Sequence, residues 1–331
     1  MKSPGYFWKK WHPVALLLFP LSLLMRLLVF LRRLAYRVRL LPVYHSRVPV
    51  IVVGNLTVGG TGKTPLVIWL CNHLVSQGYT PGVVLRGYGG KAASWPQQVR
   101  ADSDPQDVGD EAVVIAEQTG CPVCASPSRA DAARALLEHA DCDVIISDDG
   151  LQHYALGRDI EVVVIDGERR FGNGMLLPAG PLRESPRRLR QVDFVIVNGH
   201  CSEAEQCLRL EPGPLVNLVT GETRPLENFK GQPVHLVTGL GNPRRFVDML
   251  RHAGLDADEQ LFPDHHDYTP DDFGFGDDLP VIMTAKDAVK IRPFADRHYW
   301  YLRLEVRPPV DVIDQILNAL RTRQNNGQKT A

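Results

Sequence analysis

One stretch of eight residues constrains the fold of this chain more than any other. Thr57-Val58-Gly59-Gly60-Thr61-Gly62-Lys63-Thr64 lies between a β-branched run, Val48 to Asn55, and a segment of helical periodicity, Lys63 to Gln77. Glycines at a strand-to-helix junction let consecutive backbone N–H groups curl around phosphate oxygens, and the helix N-terminus adds positive potential. Lys63 can then reach the β- and γ-phosphates of a nucleotide, and the Thr64 hydroxyl can hold Mg²⁺. The strict pattern has glycine at position 57, where this chain has threonine. The order strand, loop, helix still predicts a nucleotide site over Thr57 to Thr64.

The same alternation continues along the chain. Pro81 to Arg86, Pro122 to Ser126, Asp143 to Asp148, Ile160 to Asp166 and Asp193 to Asn198 are short apolar runs, while Gly109 to Gln118 and Ser128 to His139 read as helices. Near-continuous apolar strands alternating with helices predict an α/β fold, a P-loop NTPase-type parallel sheet with helices on both faces. At 331 residues, 44% of them hydrophobic, the chain has room for two domains. A smaller second α/β unit is expected from strand-like Pro233 to Leu240, Val281 to Ala285 and Tyr299 to Val306, with helices over Asn242 to Ala253 and Val310 to Arg323. Glu222 to Gln232, polar with Pro225 and Gly231, reads as the linker, and Gln324 to Ala331 as a frayed tail.

Asp143 to Asp149 is an apolar run ending in two carboxylates. At the carboxyl end of a parallel strand, Asp148 and Asp149 face the ligand crevice and can bind a metal directly or through its water. The guanine-selective Asn-Lys-x-Asp pattern is missing, because Thr284-Ala285-Lys286-Asp287 puts its lysine one place late. Val58 stands where ATPases that dimerise around nucleotide carry a lysine. A small-substrate or lipid kinase is left. Six irregularly spaced cysteines fit reduced thiols, and Cys121-Pro122-Val123-Cys124 has no matching second pair for a metal. His265 and His266 are adjacent, so their side chains point apart and chelate poorly. Thr238-Gly239-Leu240-Gly241-Asn242 lacks the remaining glycine of a dinucleotide loop.

A formal net charge of −1 hides an asymmetry. Residues 1–101 hold thirteen Lys/Arg and no Asp or Glu, which leaves 24 basic against 38 acidic residues, a charge of −14, for 102–331. One end is drawn to an anionic surface, nucleic acid or lipid, and the other repelled. Val14 to Met25 is apolar but for Ser22, shorter than a span before Arg26, and interrupted by Pro20, which is expected to bend or break a helix. Arg26, Arg33 and Arg37 share a helical face, and Trp8, Lys9, Lys10 and Trp11 flank the start as boundary residues do. A signal peptide lacks its cleavage site, a full span and a soluble packed helix remain open, and an interfacial anchor is favoured.

Five motifs in register carry a family likeness. They are Val53-Gly54-Asn55-Leu56-Thr57-Val58-Gly59-Gly60-Thr61-Gly62-Lys63-Thr64-Pro65, Arg86-Gly87-Tyr88-Gly89-Gly90-Lys91, Gly109-Asp110-Glu111, Asp148-Asp149-Gly150-Leu151-Gln152-His153 and Pro178-Ala179-Gly180-Pro181-Leu182-Arg183-Glu184. Together they resemble tetraacyldisaccharide 4′-kinase, the lipid A 4′-kinase family of Gram-negative bacteria, from the apolar helix to about residue 305. The resemblance implies transfer of the ATP γ-phosphate to the 4′-hydroxyl of a tetraacylated glucosamine disaccharide 1-phosphate. It implies ATP and Mg²⁺, the latter on Thr64, Asp148 and Asp149, and as partners a lipid substrate and an anionic phospholipid surface, with no nucleic acid.

By that likeness Asp110 is the general base, His265 its partner and Lys63 the phosphate-binding lysine. Asn55, Tyr88, Glu111, Arg129, Gln152, His153, Arg183 and Glu184 bind the acceptor, although Arg129 in its own context reads as a solvated residue of a helix's first turn. Residues 1–44 form the anchor, 45–225 the P-loop kinase core and 226–331 the smaller domain, whose closure brings His265 to Asp110. Family members often have Thr-Glu-Lys-Asp where Ala285 stands, so no role of that Glu carries over. The cytoplasmic face of the bacterial inner membrane, with monotopic attachment, follows from the need for ATP. A nucleotide-regulated membrane-binding protein with slow hydrolysis is the alternative; oligomeric state is left open.

Overall fold

Apolar runs become strands and the periodic segments between them become helices. The computed structural model describes residue 8 and residues 12–328. In chain order the elements are α1 (Pro13–Arg37), β1 (Val50–Gly54), α2 (Lys63–Ser76), β2 (Pro81–Leu85), β3 (Gln97–Val99), α3 (Pro105–Val108), α4 (Asp110–Thr119), β4 (Val123–Ala125), α5 (Arg129–His139), β5 (Val144–Asp148), β6 (Ile160–Asp166) and β7 (Phe194–Asn198). Then come β8 (Cys207–Asn217), β9 (Thr223–Arg224), β10 (Pro233–Thr238), α6 (Pro243–His252), β11 (Asp256–Leu261), β12 (Val281–Thr284), α7 (Ala285–Ile291), β13 (Tyr299–Arg307) and α8 (Val310–Gln328).

The strands form one sheet in the order β11-β10-β12-β13-β8-β7-β6-β1-β5-β2-β4-β3, with β9 on β8. Strands β1, β2 and β4 to β7 are parallel, and β10 to β13 form a second parallel group. β8 joins the two, its first residues parallel to β7 and its length antiparallel to β13. Four of these strands, β3, β8, β9 and β11, escape the periodicity reading, the two longer ones for plain physical reasons. Pro212-Gly213-Pro214 interrupts the apolar pattern of β8, and β11 is an edge strand, half of whose residues are acidic. The expected linker, Glu222 to Gln232, is also more structured than its polarity suggests: Leu226 and Phe229 bury in the core of the second group.

Both faces of each group are covered. Ile51 and Val53 of β1 face a core completed by α2 and α4, while Val50 and Val52 face a second core with α5. α6 and α7 cover opposite faces of the second group. α8 then returns to the first group: Val312, Ile313, Ile316, Leu317 and Leu320 are buried in the β1–α2–α4 core. It continues to Gln328, past the point where the polar tail was expected to fray.

α1 is a single helix of 25 residues with Pro20 inside it, so the expected interruption does not occur. By length and composition alone the helix could cross a membrane. Only a narrow stripe, Ala15, Leu18, Ser22, Met25, Val29, Arg33, Ala35 and Tyr36, is turned from solvent. Ala179 N donates to Ser22 Oγ (3.3 Å), and Trp8 Nε1 donates to the Pro178 carbonyl (3.1 Å). Further along, Arg33 donates to Gln191 and lies 3.6 Å from Glu184. Lys9, Lys10 and Trp11, the other expected boundary residues, lie outside the described residues.

The cysteines depart from expectation at one place. Cys201 and Cys207 form a disulfide across the short β7–β8 connection, with Cα atoms 6.1 Å apart. Cys71, Cys121, Cys124 and Cys142 are free and buried, as expected for the Cys121/Cys124 pair.

Candidate active site

The nucleotide loop leaves β1 at the sheet's carboxyl edge and enters α2 through Gly62, whose φ of +89° only glycine adopts without strain. Asn55 is buried and turns its amide back on the loop, donating to the Thr57 carbonyl at 2.8 Å. Pro181 to Arg183 line the other side: Val58 N donates to Pro181 O (2.9 Å) and Arg183 N to Leu56 O (2.7 Å). That pairing explains why the Pro-Ala-Gly-Pro-Leu-Arg-Glu segment belongs beside the loop.

β5 is the parallel neighbour of β1, with Val53 opposite Asp148. The Thr64 hydroxyl donates to Asp148 Oδ2 at 2.9 Å, and Lys63 Nζ lies 3.5 Å from Asp149 Oδ1. Arg183 Nη1 donates to both Asp149 oxygens, at 2.9 and 2.8 Å. Gln152 connects this group to the loop by donating to the Asn55 carbonyl (3.1 Å). The two carboxylates differ sharply. Burial raises Asp149, but Lys63 and Arg183 outweigh it and hold its pKa at about 2. Asp148 is pushed up to about 6, by burial first and the Glu111 charge second. Its Oδ1 is buried with no hydrogen-bond partner. An uncompensated carboxylate oxygen beside a threonine hydroxyl is a donor set for a hard divalent cation, so these residues fit Mg²⁺. Asp149, already paired with two cations, is less available.

α4 opens at Gly109 (φ +90°), where a side chain would collide with the Tyr88 carbonyl, and so brings Asp110 against the second strand group. His265 Nδ1 is 3.1 Å from Asp110 Oδ2, and the Tyr88 ring lies 5.1 Å from the imidazole. His265 has φ +58°, a backbone conformation that an ordinary residue keeps only when its surroundings impose it. Burial alone raises the Asp110 pKa; the His265 hydrogen bond and the charges of Lys286, His265 and Lys290 outweigh it and hold it below the ordinary value. The His265 pKa is raised, chiefly by that same hydrogen bond.

Lys286 is a residue that sequence reasoning missed. Its ammonium sits 3.1 Å from Glu111 Oε1 and 3.9 Å from Asp110 Oδ1, and these charges raise its pKa against the effect of burial. The only signal was Thr284-Ala285-Lys286-Asp287, noticed for its departures from two other patterns. Lys290, 3.9 Å from Asp110 Oδ2, is fixed by donating to the His266 carbonyl (3.0 Å). His266 turns away to Asp272, as expected of adjacent histidines.

Two expected acceptor residues lie elsewhere in character. Arg129 is not on a solvated turn: only 2% exposed, it donates to the Ser126 and Asp148 carbonyls at 3.2 and 3.0 Å. The correction has a local cause, since α5 starts against β5 and points its first residue inward. Glu184, also buried, accepts from Tyr154 (2.7 Å) and faces Arg33 of α1. His153 is half-buried, with its pKa driven down to about 3 by burial first and Arg129 second, so its ring is neutral. No cluster of three or more metal-ligating side chains occurs among the described residues.

Residues 14–321 match the sequence pattern of a family described as tetraacyldisaccharide-1-P 4′-kinase. The chain is 49% identical over 315 residues to a tetraacyldisaccharide 4′-kinase of Nitrosococcus oceani, covering 95% of this chain and 93% of that one. It is 50% identical over 308 residues to the same kinase of Methylobacillus flagellatus, with 92% of each covered. Among solved structures it is similar to LpxK of Aquifex aeolicus in complex with ATP, at a TM-score of 0.76 and 26% identity over 93% of this chain and 99% of that one.

Proposed function

The chain belongs to the tetraacyldisaccharide-1-P 4′-kinase family, and from that premise we propose how its residues perform the reaction. The protein transfers the γ-phosphate of ATP to the 4′-hydroxyl of a tetraacylated glucosamine disaccharide 1-phosphate, a lipid A precursor. The observation that carries the residue-level reading is the Asp110–His265 pair, 3.1 Å apart although 155 residues separate them in the sequence.

Phosphoryl transfer depends mainly on positioning and charge neutralisation. The amides of Thr57 to Thr64 and the Lys63 ammonium bind the phosphates. Thr64 and Asp148 would hold Mg²⁺, which would neutralise phosphate charge, and Asp149 orients Lys63 and Arg183. Asp110 takes the proton of the attacking hydroxyl, and His265 orients its carboxylate. Tyr88, Glu111, Gln152, His153 and Arg183 meet the acceptor headgroup. Asn55, Arg129 and Glu184 act by shaping the loop, β5 and the seat of α1. Residues 45–225 serve as the kinase core, 226–331 as the unit that brings His265, and 1–44 as the anchor.

Association with a membrane accords with the apolar helix and with a lipid acceptor. We infer attachment along one surface, the cytoplasmic face of the inner membrane, where ATP is available. The docked stripe from Ser22 to Arg33, about 16 Å along the helix axis, supports a helix lying against its own protein and turning its leucines to lipid. A four-chain substrate does not leave the bilayer, at about 0.8 kcal/mol per buried CH₂, so the site must come to the surface.

The test is transfer of labelled γ-phosphate to tetraacyldisaccharide 1-phosphate in mixed micelles, for wild type and Asp110→Ala. Wild type is expected to label the lipid and the variant to be slower by about 10²–10⁴, with ATP binding retained. Equal rates would remove Asp110 as the base. An ATP-binding wild type that labels no lipid would overturn the kinase reading in favour of a nucleotide-regulated membrane protein.

A further inference from the structure

The nucleotide loop is braced from outside by a network the mechanism above does not use. Asp166 and Asn198 end the parallel strands β6 and β7, stand opposite each other in register, and are both buried. Asn198 Nδ2 donates to the Thr61 carbonyl at 2.8 Å, and its Oδ1 accepts from Arg245 Nη2 at 3.0 Å. Arg245 Nη1 lies 3.5 Å from Asp166 Oδ2, which also receives Arg169 Nε at 3.1 Å. Arg169 donates in turn to the Gly60 carbonyl. Arg245 comes from the first turn of α6, whose Phe246, Val247 and Leu250 bury in the core of the second strand group.

The direction of each bond decides what the network does. An amide side chain can be turned either way, but arginine has only donors, so Arg245 takes the oxygen of Asn198 and leaves its NH₂ for Thr61. In a trans peptide the C=O and N–H point to opposite sides. Capping the Thr61 carbonyl from outside therefore keeps the Gly62 N–H on the inner, phosphate side of the loop. Arg169 does the same for the Thr61 N–H through the Gly60 carbonyl. Asn198 also fills the space where a side chain at position 62 would stand.

We propose that Arg245 is a positioning residue for ATP: by orienting the Asn198 amide it holds the Gly62 N–H toward the phosphates, so nucleotide affinity depends on the seating of the second strand group. The proposal rests on the reading of this loop as the ATP site and adds a second tie to it, independent of Asp110 and His265. A plain ion pair between Arg245 and Asp166 would make a different prediction. Asn198→Asp keeps the size of the side chain and strengthens its attraction to Arg245, but removes the donor to Thr61.

The experiment is calorimetric titration of Mg-ATP into the full chain in detergent, with melting temperatures taken without nucleotide. Arg245→Ala, Asn198→Ala and Asn198→Asp are each expected to weaken ATP binding about tenfold. The Arg245→Ala/Asn198→Ala double variant should lose about tenfold too, not about a hundredfold, because the residues act in series. Arg245→Lys, which cannot fork to both partners, should fall between and keeps the test alive if alanine lowers the melting temperature. Asn198→Asp binding ATP like wild type, or losses that multiply, would overturn the proposal alone. Failure of wild type to bind ATP would overturn the reading of the loop and the proposal with it.

Discussion

Asp110 sits in a ring of cations supplied almost wholly by the other end of the chain: His265, Lys286 and Lys290. In its proposed role as base it must be ionised, and its pKa lies below the ordinary 3.8, so its own step in the acid limb of kcat/KM falls below that value, beneath any step set by Asp148. His265→Gln removes the largest influence opposing burial, and the limb should move upward; pH–rate profiles of the two proteins decide, and an unmoved limb would leave His265 no part in tuning the base. Stability follows the same linkage. The Asp110 contribution is fully present above pH 3.8 and is lost as pH falls through its lower folded value. The His265 contribution is present below 6.5 and is lost as pH rises through its raised folded value. Part of this site is legible in the sequence, because the phosphate loop and Asp110 sit in short motifs, while His265 is suggested only by the family resemblance. Lys286 and Arg245 are not, since what matters about them is which distant carboxylate or amide they meet. Arg129 misleads for the same reason: a serine-rich helix start looks solvated until the strand it faces is known.

At the scale of elements, the parallel strands and their helices were readable because burial on both faces makes them uniformly apolar. β8 and β11 were not: one is broken by prolines, the other is a charged edge. α1 shows both outcomes. Its apolar character is plain in the sequence, but which positions face the protein depends on the Leu176 to Gln191 segment. Leu17, Leu24 and Leu28 are 79%, 53% and 54% exposed on its outer flanks. Replacing all three by Glu should cut the vesicle-bound fraction by more than about tenfold, since burying one leucine contributes about 1.5–3 kcal/mol. The melting temperature in detergent should stay put. Retained sedimentation with vesicles would mean that another surface holds the membrane.

For the whole molecule, the two strand groups are less separable than a division near residue 225 suggests. β8 is shared, and α8 gives Val312, Ile313, Ile316, Leu317 and Leu320 to the core beneath the phosphate loop. Five such side chains are together worth on the order of 10 kcal/mol, comparable with the whole stability of a domain. A chain ended after Arg307 should lose its cooperative thermal transition by circular dichroism. A truncated protein that melts like the full chain would make α8 dispensable. No pattern within residues 45–225 announces the missing piece, because an apolar helix face reads alike whichever core it completes. The arrangement also orders events in time. Because α1 precedes α8 in the chain, during synthesis the apolar helix leaves the ribosome before the helix that completes the core beneath the phosphate loop, so that core cannot be sealed until long after α1 is free.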